Sequence, residues 1–177
     1  MKAKAVLRRR FDSVFGWVVA AGMTGGTALV LLNPLPGIGF VDQLELVAVM
    51  APVVWFCWMV SAHPAVRVYE SGVRVVNWFR AYWVPWSALR EVEVTREVTL
   101  VLGTGERVRA AAGAFSIASA LGGSRVQRQL REDLERHRPV APPDGGVPSR
   151  RLDLRPWHLL GLAALLSLVA WAGVAQV

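Results

Sequence analysis

Residues 14–32 read VFGWVVAAGMTGGTALVLL, a run without a single charge. Its roughly 19 residues make about 28 Å of helix at 1.5 Å per residue, enough to cross a bilayer core of about 30 Å. Two more stretches share this character, Leu44 to Val60 and Trp157 to Val177. The first ends at Asn33-Pro34-Leu35-Pro36-Gly37, because two prolines supply no helix donors. Pro52 predicts a kink in the second, and Glu45 lies near enough to its outer end to stay hydrated. Trp157 and His158 suit the headgroup level at the start of the third.

The charges say which way these spans run. Every Lys and Arg lies either in the first ten residues or between Arg67 and Arg155, and the Pro/Gly loop through Gln43 has none. Cations resist translocation, so basic segments stay on the cytoplasmic side. The expected topology is a multi-pass protein of the plasma membrane with the N-terminus and residues 62–155 in the cytoplasm and the C-terminus outside. A rival reading takes residues 1–21 as a cleaved signal peptide ending at Val19-Ala20-Ala21. The apolar run continues for eleven residues past that point, which disfavours cleavage.

Composition narrows the class further. With 177 residues, 54% of them hydrophobic, the chain has room for one compact domain beside its spans. The net charge of +7 is accounted for by eight cations that flank spans: Lys2, Lys4, Arg8, Arg9, Arg10, Arg150, Arg151 and Arg155. That topogenic explanation leaves no reason to expect a nucleic-acid partner. Cys57 is the only cysteine, so no intramolecular disulfide forms, and inside an apolar run it reads as a small buried hydrophobe.

Between His63 and Pro139 the pattern turns to short β segments. Val66 to Tyr69, Val73 to Trp78 and Tyr82 to Val84 read as strands, with turns at Glu70-Ser71-Gly72 and near Phe79-Arg80-Ala81. Leu89 to Thr95 alternates with one slip, and Val98 to Leu102 pairs with Arg107 to Ala111 across Gly103-Thr104-Gly105. Five or six such strands imply a strongly bent antiparallel sheet. A helix follows, with Ser124 and Gln127 in a capping-box pattern and Val126, Leu130, Leu134 and His137 on one stripe. Its mixed charges read as a solvated face. Residues 139–155, rich in Pro and Gly at the start, read as a flexible tether.

The Val84-Pro85-Trp86-Ser87-Ala88-Leu89 segment, Gly72 after the first strand and the Leu102-Gly103-Thr104-Gly105-Glu106 hairpin together resemble a bacterial PH-like domain. The resemblance is to the small actinobacterial membrane proteins of the low-molecular-weight-antigen type, and covers residues 62–138. It implies a bent antiparallel sheet capped by a C-terminal helix, associated with a membrane, in a class without known enzymatic activity. The expected fold is thus an α+β membrane protein. A basic N-terminus (1–13) and a transmembrane helical hairpin (14–61) precede the PH-like domain; the tether and one transmembrane helix (156–177) follow it.

Candidate functional residues are few. The aromatic cluster around Trp78, Phe79, Tyr82, Trp83 and Trp86 either fills a small core or projects an aromatic and a cation from the 79–83 turn. In the second case Phe79, Arg80, Tyr82 and Trp83, with Arg67 and Arg74, would meet anionic lipid headgroups or a protein partner. Gly22 and Gly26 form a small-xxx-small pair that permits close helix approach, either to the second span or in a homo-oligomer. The histidines His63, His137 and His158 have no ligand-spaced partners, so no metal or cofactor is expected. Gly122-Gly123-Ser124-Arg125 lacks the lysine and spacing of a phosphate loop. Two functions remain open: a non-enzymatic adaptor displaying the PH-like domain, or a structural subunit recognised through its spans.

Overall fold

A computed structural model describes residues 3–8, 10–94, 97–113, 125–143 and 146–176. The proposed cap at Ser124 and the Gly122-Gly123 segment lie outside them. The chain forms two compact units, Met1–Phe11 with His63–Asp153, and Asp12–Ala62 with Leu154–Val177.

The second unit holds three helices long and apolar enough to cross a membrane: α1 (Arg10–Leu32), α2 (Phe40–Ser61) and, at the C-terminal end, the helix Pro156–Val174. The threonines of α1 are satisfied locally, as an apolar surround demands. Thr24 Oγ1 donates to the Ala20 carbonyl and Thr27 Oγ1 to that of Met23, both at 2.8 Å. Asn33 Nδ2 donates to the Leu29 carbonyl at 2.9 Å and so closes the end of α1. At the start of α2, the Gly39 amide donates to Asp42 Oδ2 at 2.8 Å. Val47 and Ala51 of α2 pack with Leu166 and Ala170 of the C-terminal helix, and Leu31 of α1 joins them.

The glycines make close contacts at other positions than the expected pair. A Cβ at Gly22 or Gly26 would meet nothing within 4 Å. Instead Gly16 lies against Ser61, and Gly173 lies so close to the Leu31 carbonyl that a Cβ there would collide with it. The helical period explains the difference. Among the described residues of α1, Gly16, Ala20, Thr27 and Leu31 are buried, and at 3.6 residues per turn they share one stripe. Gly22 and Gly26 fall on its far side.

The first unit is a two-sheet β structure. The strands are β1 (Ala5–Leu7), β2 (Ala65–Val68), β3 (Gly72–Val76), β4 (Arg80–Pro85), β5 (Leu89–Val94), β6 (Val98–Leu102), β7 (Arg107–Ala110) and β8 (Ser149–Leu152). One sheet has the order β1-β2-β3-β4-β8, the other β5-β6-β7, and each neighbouring pair is antiparallel. The helix α3 (Arg125–His137) follows, and the third membrane-length helix becomes α4.

The corner between the sheets is the Pro85–Leu89 segment. Pro85 ends β4, a 3-10 turn spans Trp86–Ala88, and Leu89 opens β5. The Trp86 side chain is 1% exposed in the core, where its indole N–H donates to the Tyr69 carbonyl at 3.0 Å. Gly72 lets β3 pass the same corner, because a Cβ there would strike the Val84 carbonyl and Pro85. Around Trp86 the core joins Val66, Val73 and Val75 of one sheet to Leu100 and Val108 of the other, closed by Leu130 and Leu134 of α3.

The slip in the Leu89–Val94 alternation is a register shift between Leu89 and Glu91. A bulge leaves ladder groups unpaired, and Arg138 at the end of α3 meets them. Its Nη2 donates to the Leu89 carbonyl at 2.6 Å and to that of Arg90 at 3.3 Å.

Two expectations are corrected. Residues 1–13 are not simply a basic leader, since Ala5–Leu7 forms β1 against β2. Nor is 139–155 a tether throughout: Ser149–Leu152 is a strand paired with β4. In both cases a short segment takes up backbone donors and acceptors that an edge strand would otherwise leave free.

Gly173→Leu should lower the thermal stability of the full chain in detergent, whereas Gly22→Leu should leave it nearly unchanged; fluorescence-detected size exclusion after heating distinguishes them. Arg138→Ala should cost about 1–3 kcal/mol, the usual scale for hydrogen bonds from a charged donor. Arg138→Lys should not fully restore it, since an ammonium lacks the fork; denaturant melts of the full chain read both.

Candidate functional site

In an antiparallel sheet, residues directly opposite one another point to the same side, and residues two apart along a strand share that side. The register therefore sorts the five-stranded sheet into two faces. Leu7, Val66, Val75 and Tyr82 form one transverse row, and Val68, Val73 and Val84 belong to another. These face the core, where Tyr82 is partly buried.

The other face carries a different row. Val6 lies opposite Arg67, Arg67 opposite Arg74, Arg74 opposite Trp83, and Trp83 opposite Ser149. Two positions along, Ala81 lies opposite Arg151. Three arginines and a tryptophan thus share one surface. Trp83 and Arg67 are half-buried, while Ser149 and Arg151 are exposed. The Trp83 ring meets Tyr69 edge-on, with centroids 5.7 Å apart, so it is a fixed wall and not a mobile tip.

Between β3, β4 and β8 this face sinks into a depression of about 260 Å³ lined by Arg74, Ala81, Tyr82, Trp83, Ser149 and Arg151. Arg74 Nη2 lies 3.6 Å from Asp153 Oδ2, and the same carboxylate oxygen lies 3.5 Å from His63 Nε2. His63 is 3% exposed and Asp153 13%. Among the described residues, Arg67 and Arg151 make no ion pair with a carboxylate. Arg150, on the core-facing row, sits 5.8 Å from the Tyr82 ring centroid.

The sequence-derived set is therefore divided. Arg67, Arg74 and Trp83 come together on one face. Tyr82 turns its ring toward the core side while still touching the rim of the depression. Phe79 and Arg80 lie at the far end of β4, where the Phe79 carbonyl accepts from the Asp153 amide at 2.9 Å. The 79–83 segment is not one projecting turn, because β4 begins at Arg80. The turn proper is held by Asn77, whose Nδ2 donates to the Arg109 carbonyl at 2.8 Å and whose Oδ1 accepts from the Ala111 amide at 2.7 Å. Gly22 and Gly26 belong to the other unit.

Ser149, Arg151 and Asp153 were missed as site residues. They lie over sixty residues from Trp83 in sequence, and Ser149-Arg150-Arg151-Leu152 has no apolar alternation to betray a strand. No three His, Cys, Asp or Glu side chains cluster for a metal among the described residues.

The stretch that builds the corner, the core and most of this face can be placed among known proteins. Residues 63–139 match the bacterial PH domain family. No curated protein and no solved structure matches the chain. The matched stretch runs from before β2 to just past α3. It leaves out β1 and β8, so the matching stretch is flanked by a strand at each edge of the larger sheet.

A fragment limited to residues 63–139 would expose the free sides of β2 and β4 and lose Leu7 from the core. It should melt at lower temperature and self-associate more readily than a version that includes residues 3–8 and 146–153 supplied on linkers. Size exclusion and thermal denaturation of the two fragments give the comparison.

Proposed function

We propose that this protein is a non-enzymatic membrane adaptor. It holds its PH-like unit at the cytoplasmic face of the bacterial plasma membrane and offers the outer face of the five-stranded sheet to a partner. The observation that carries this reading is the Arg67–Arg74–Trp83 row, continued by Ser149 and flanked by Arg151. Arginine and tryptophan are the residues that most often dominate binding surfaces. Here they stand on a rigid sheet, which reduces the ordering cost of association.

The charge distribution supports the orientation. The link Asn33–Gly39 between α1 and α2 has no Lys or Arg, whereas basic residues stand before α1, after α2 and before α4. By the positive-inside tendency the N-terminus and the PH-like unit are cytoplasmic and the C-terminus lies outside. The links between strands and helices are also short. Two residues separate β1 from α1, three separate α2 from β2 and three separate β8 from α4.

A second reading makes the protein a structural subunit of a larger membrane complex, in which the transmembrane helices make the specific contacts. It is favoured by the far side of α1, where Gly22, Gly25 and Gly26 have open space around them. Small residues of this kind allow another helix to approach closely.

Photo-cross-linking in cells from position 6, at the end of the arginine row, separates the two. The adaptor reading expects adducts that vanish in an Arg74→Ala/Trp83→Ala chain and persist in Gly22→Leu/Gly26→Leu. Adducts that vanish only with the glycine changes would replace it with the subunit reading.

A further inference from the structure

We infer that the cleft among α1, α2 and α4 is a binding site for the hydrocarbon tail of a membrane lipid, held as a specific chain and not as general bilayer contact. The inference is independent of the outer sheet face. It needs only that the three membrane-length helices lie in a bilayer. The cleft has a volume of about 460 Å³ and is lined on one side by Trp17, Ala21 and Gly25 of α1. Those positions recur every fourth residue, so they share a helix face. Trp55 and Trp58 of α2 and His158 of α4 line the other sides.

The way α1 is held opens this cleft. Near its start Gly16 lies against Ser61, and at its end Leu31 lies against Gly173. Between those two contacts α1 carries Ala20, Ala21 and Gly25, and a Cβ at Gly25 would meet nothing within 4 Å. Rings from all three helices bound one end. Trp17 meets Trp58 edge-on with centroids 5.9 Å apart, and Trp58 stacks on His158 at 5.0 Å. The lining gives water little to bind, since the Thr24 hydroxyl already donates to the Ala20 carbonyl. An empty apolar void forfeits the van der Waals contacts that hold membrane helices together, so an apolar occupant is favoured.

Size decides which occupant. Trp17 to Gly25 covers about 12 Å of helix at 1.5 Å per residue. Spread over that length, the volume of about 460 Å³ is a section of about 40 Å². A helix with its side chains is about 10–12 Å across and needs roughly twice that section. A span from a second copy of this chain is therefore too wide, whereas an extended lipid tail fits.

The test places a diazirine amino acid at position 21 of the full chain in cell membranes and identifies the occupant by the mass of its photo-adduct. The same amino acid at position 18, where Val18 is 63% exposed, reports general bilayer contact. The cleft predicts lipid adducts at position 21 that fall at least about tenfold in Gly25→Leu, the factor for excluding about two methylenes. Adducts at position 18 should stay unchanged. Gly22→Leu, which also has open space but lies outside the lining, should lower neither. A second measurement needs no filling variant. After the membranes are diluted into lipid-free detergent, lipid adducts at position 21 should outlast those at position 18.

Lipid adducts at position 21 that Gly25→Leu leaves unchanged, or that Gly22→Leu lowers equally, would overturn the site. So would adducts lost from positions 21 and 18 at the same rate in detergent, which would reduce the cleft to ordinary bilayer contact. Adducts between two copies of the chain from position 21 would assign the cleft to an oligomer interface instead. The absence of any adduct there would leave it empty, against the proposal.

Discussion

Three strands of one sheet continue into helices long enough to cross a bilayer, and that covalent constraint governs the rest. β1 leads into α1, β2 follows α2 and β8 leads into α4. Pairing β1, β2 and β8 in one sheet gathers the chain at three points, just before α1, just after α2 and just before α4. Lys and Arg stand before α1 and before α4 and are absent from the link between α1 and α2.

Within the β unit, the next dependence is on the Trp86 corner. A chain that leaves β4 at Pro85 has to turn into the second sheet while burying a large indole, and that indole carries a donor that cannot be left unpaired. The Tyr69 carbonyl accepts it, and Gly72 clears the passage. With the corner set, the inner faces of both sheets meet over a valine- and leucine-rich core. The outer face of the larger sheet is then left to arginine and tryptophan, which makes the site a by-product of which side the core takes.

Much of this was legible in the sequence where the signal is local. The three spans follow from long uncharged runs, and the six strands from β2 to β7 follow from alternation and turn residues. Even the slip at Leu89–Val92 corresponds to a register shift. The corner motif at Val84–Leu89 carried the resemblance to the domain that residues 63–139 match. The strands that escaped notice, Ala5–Leu7 and Ser149–Leu152, are three and four residues long and stand beside basic runs and Pro/Gly segments that mask them. Short edge strands have little side-chain pattern because their stability comes from backbone pairing with a neighbour.

What the sequence determined alone is set by solvent: long apolar runs make helices of membrane-crossing length, and alternating residues make half-buried strands. Each of these depends on a residue and its near neighbours. The tertiary structure decided which distant residues share a surface. It placed Arg67, Arg74 and Trp83 in one row and turned Tyr82 the other way, since successive strand residues point to opposite faces. It added Ser149 and Arg151 through the pairing of β8 with β4. It also turned Gly22 and Gly26 away from the packed stripe of α1, because register and helical phase become fixed only when the elements meet.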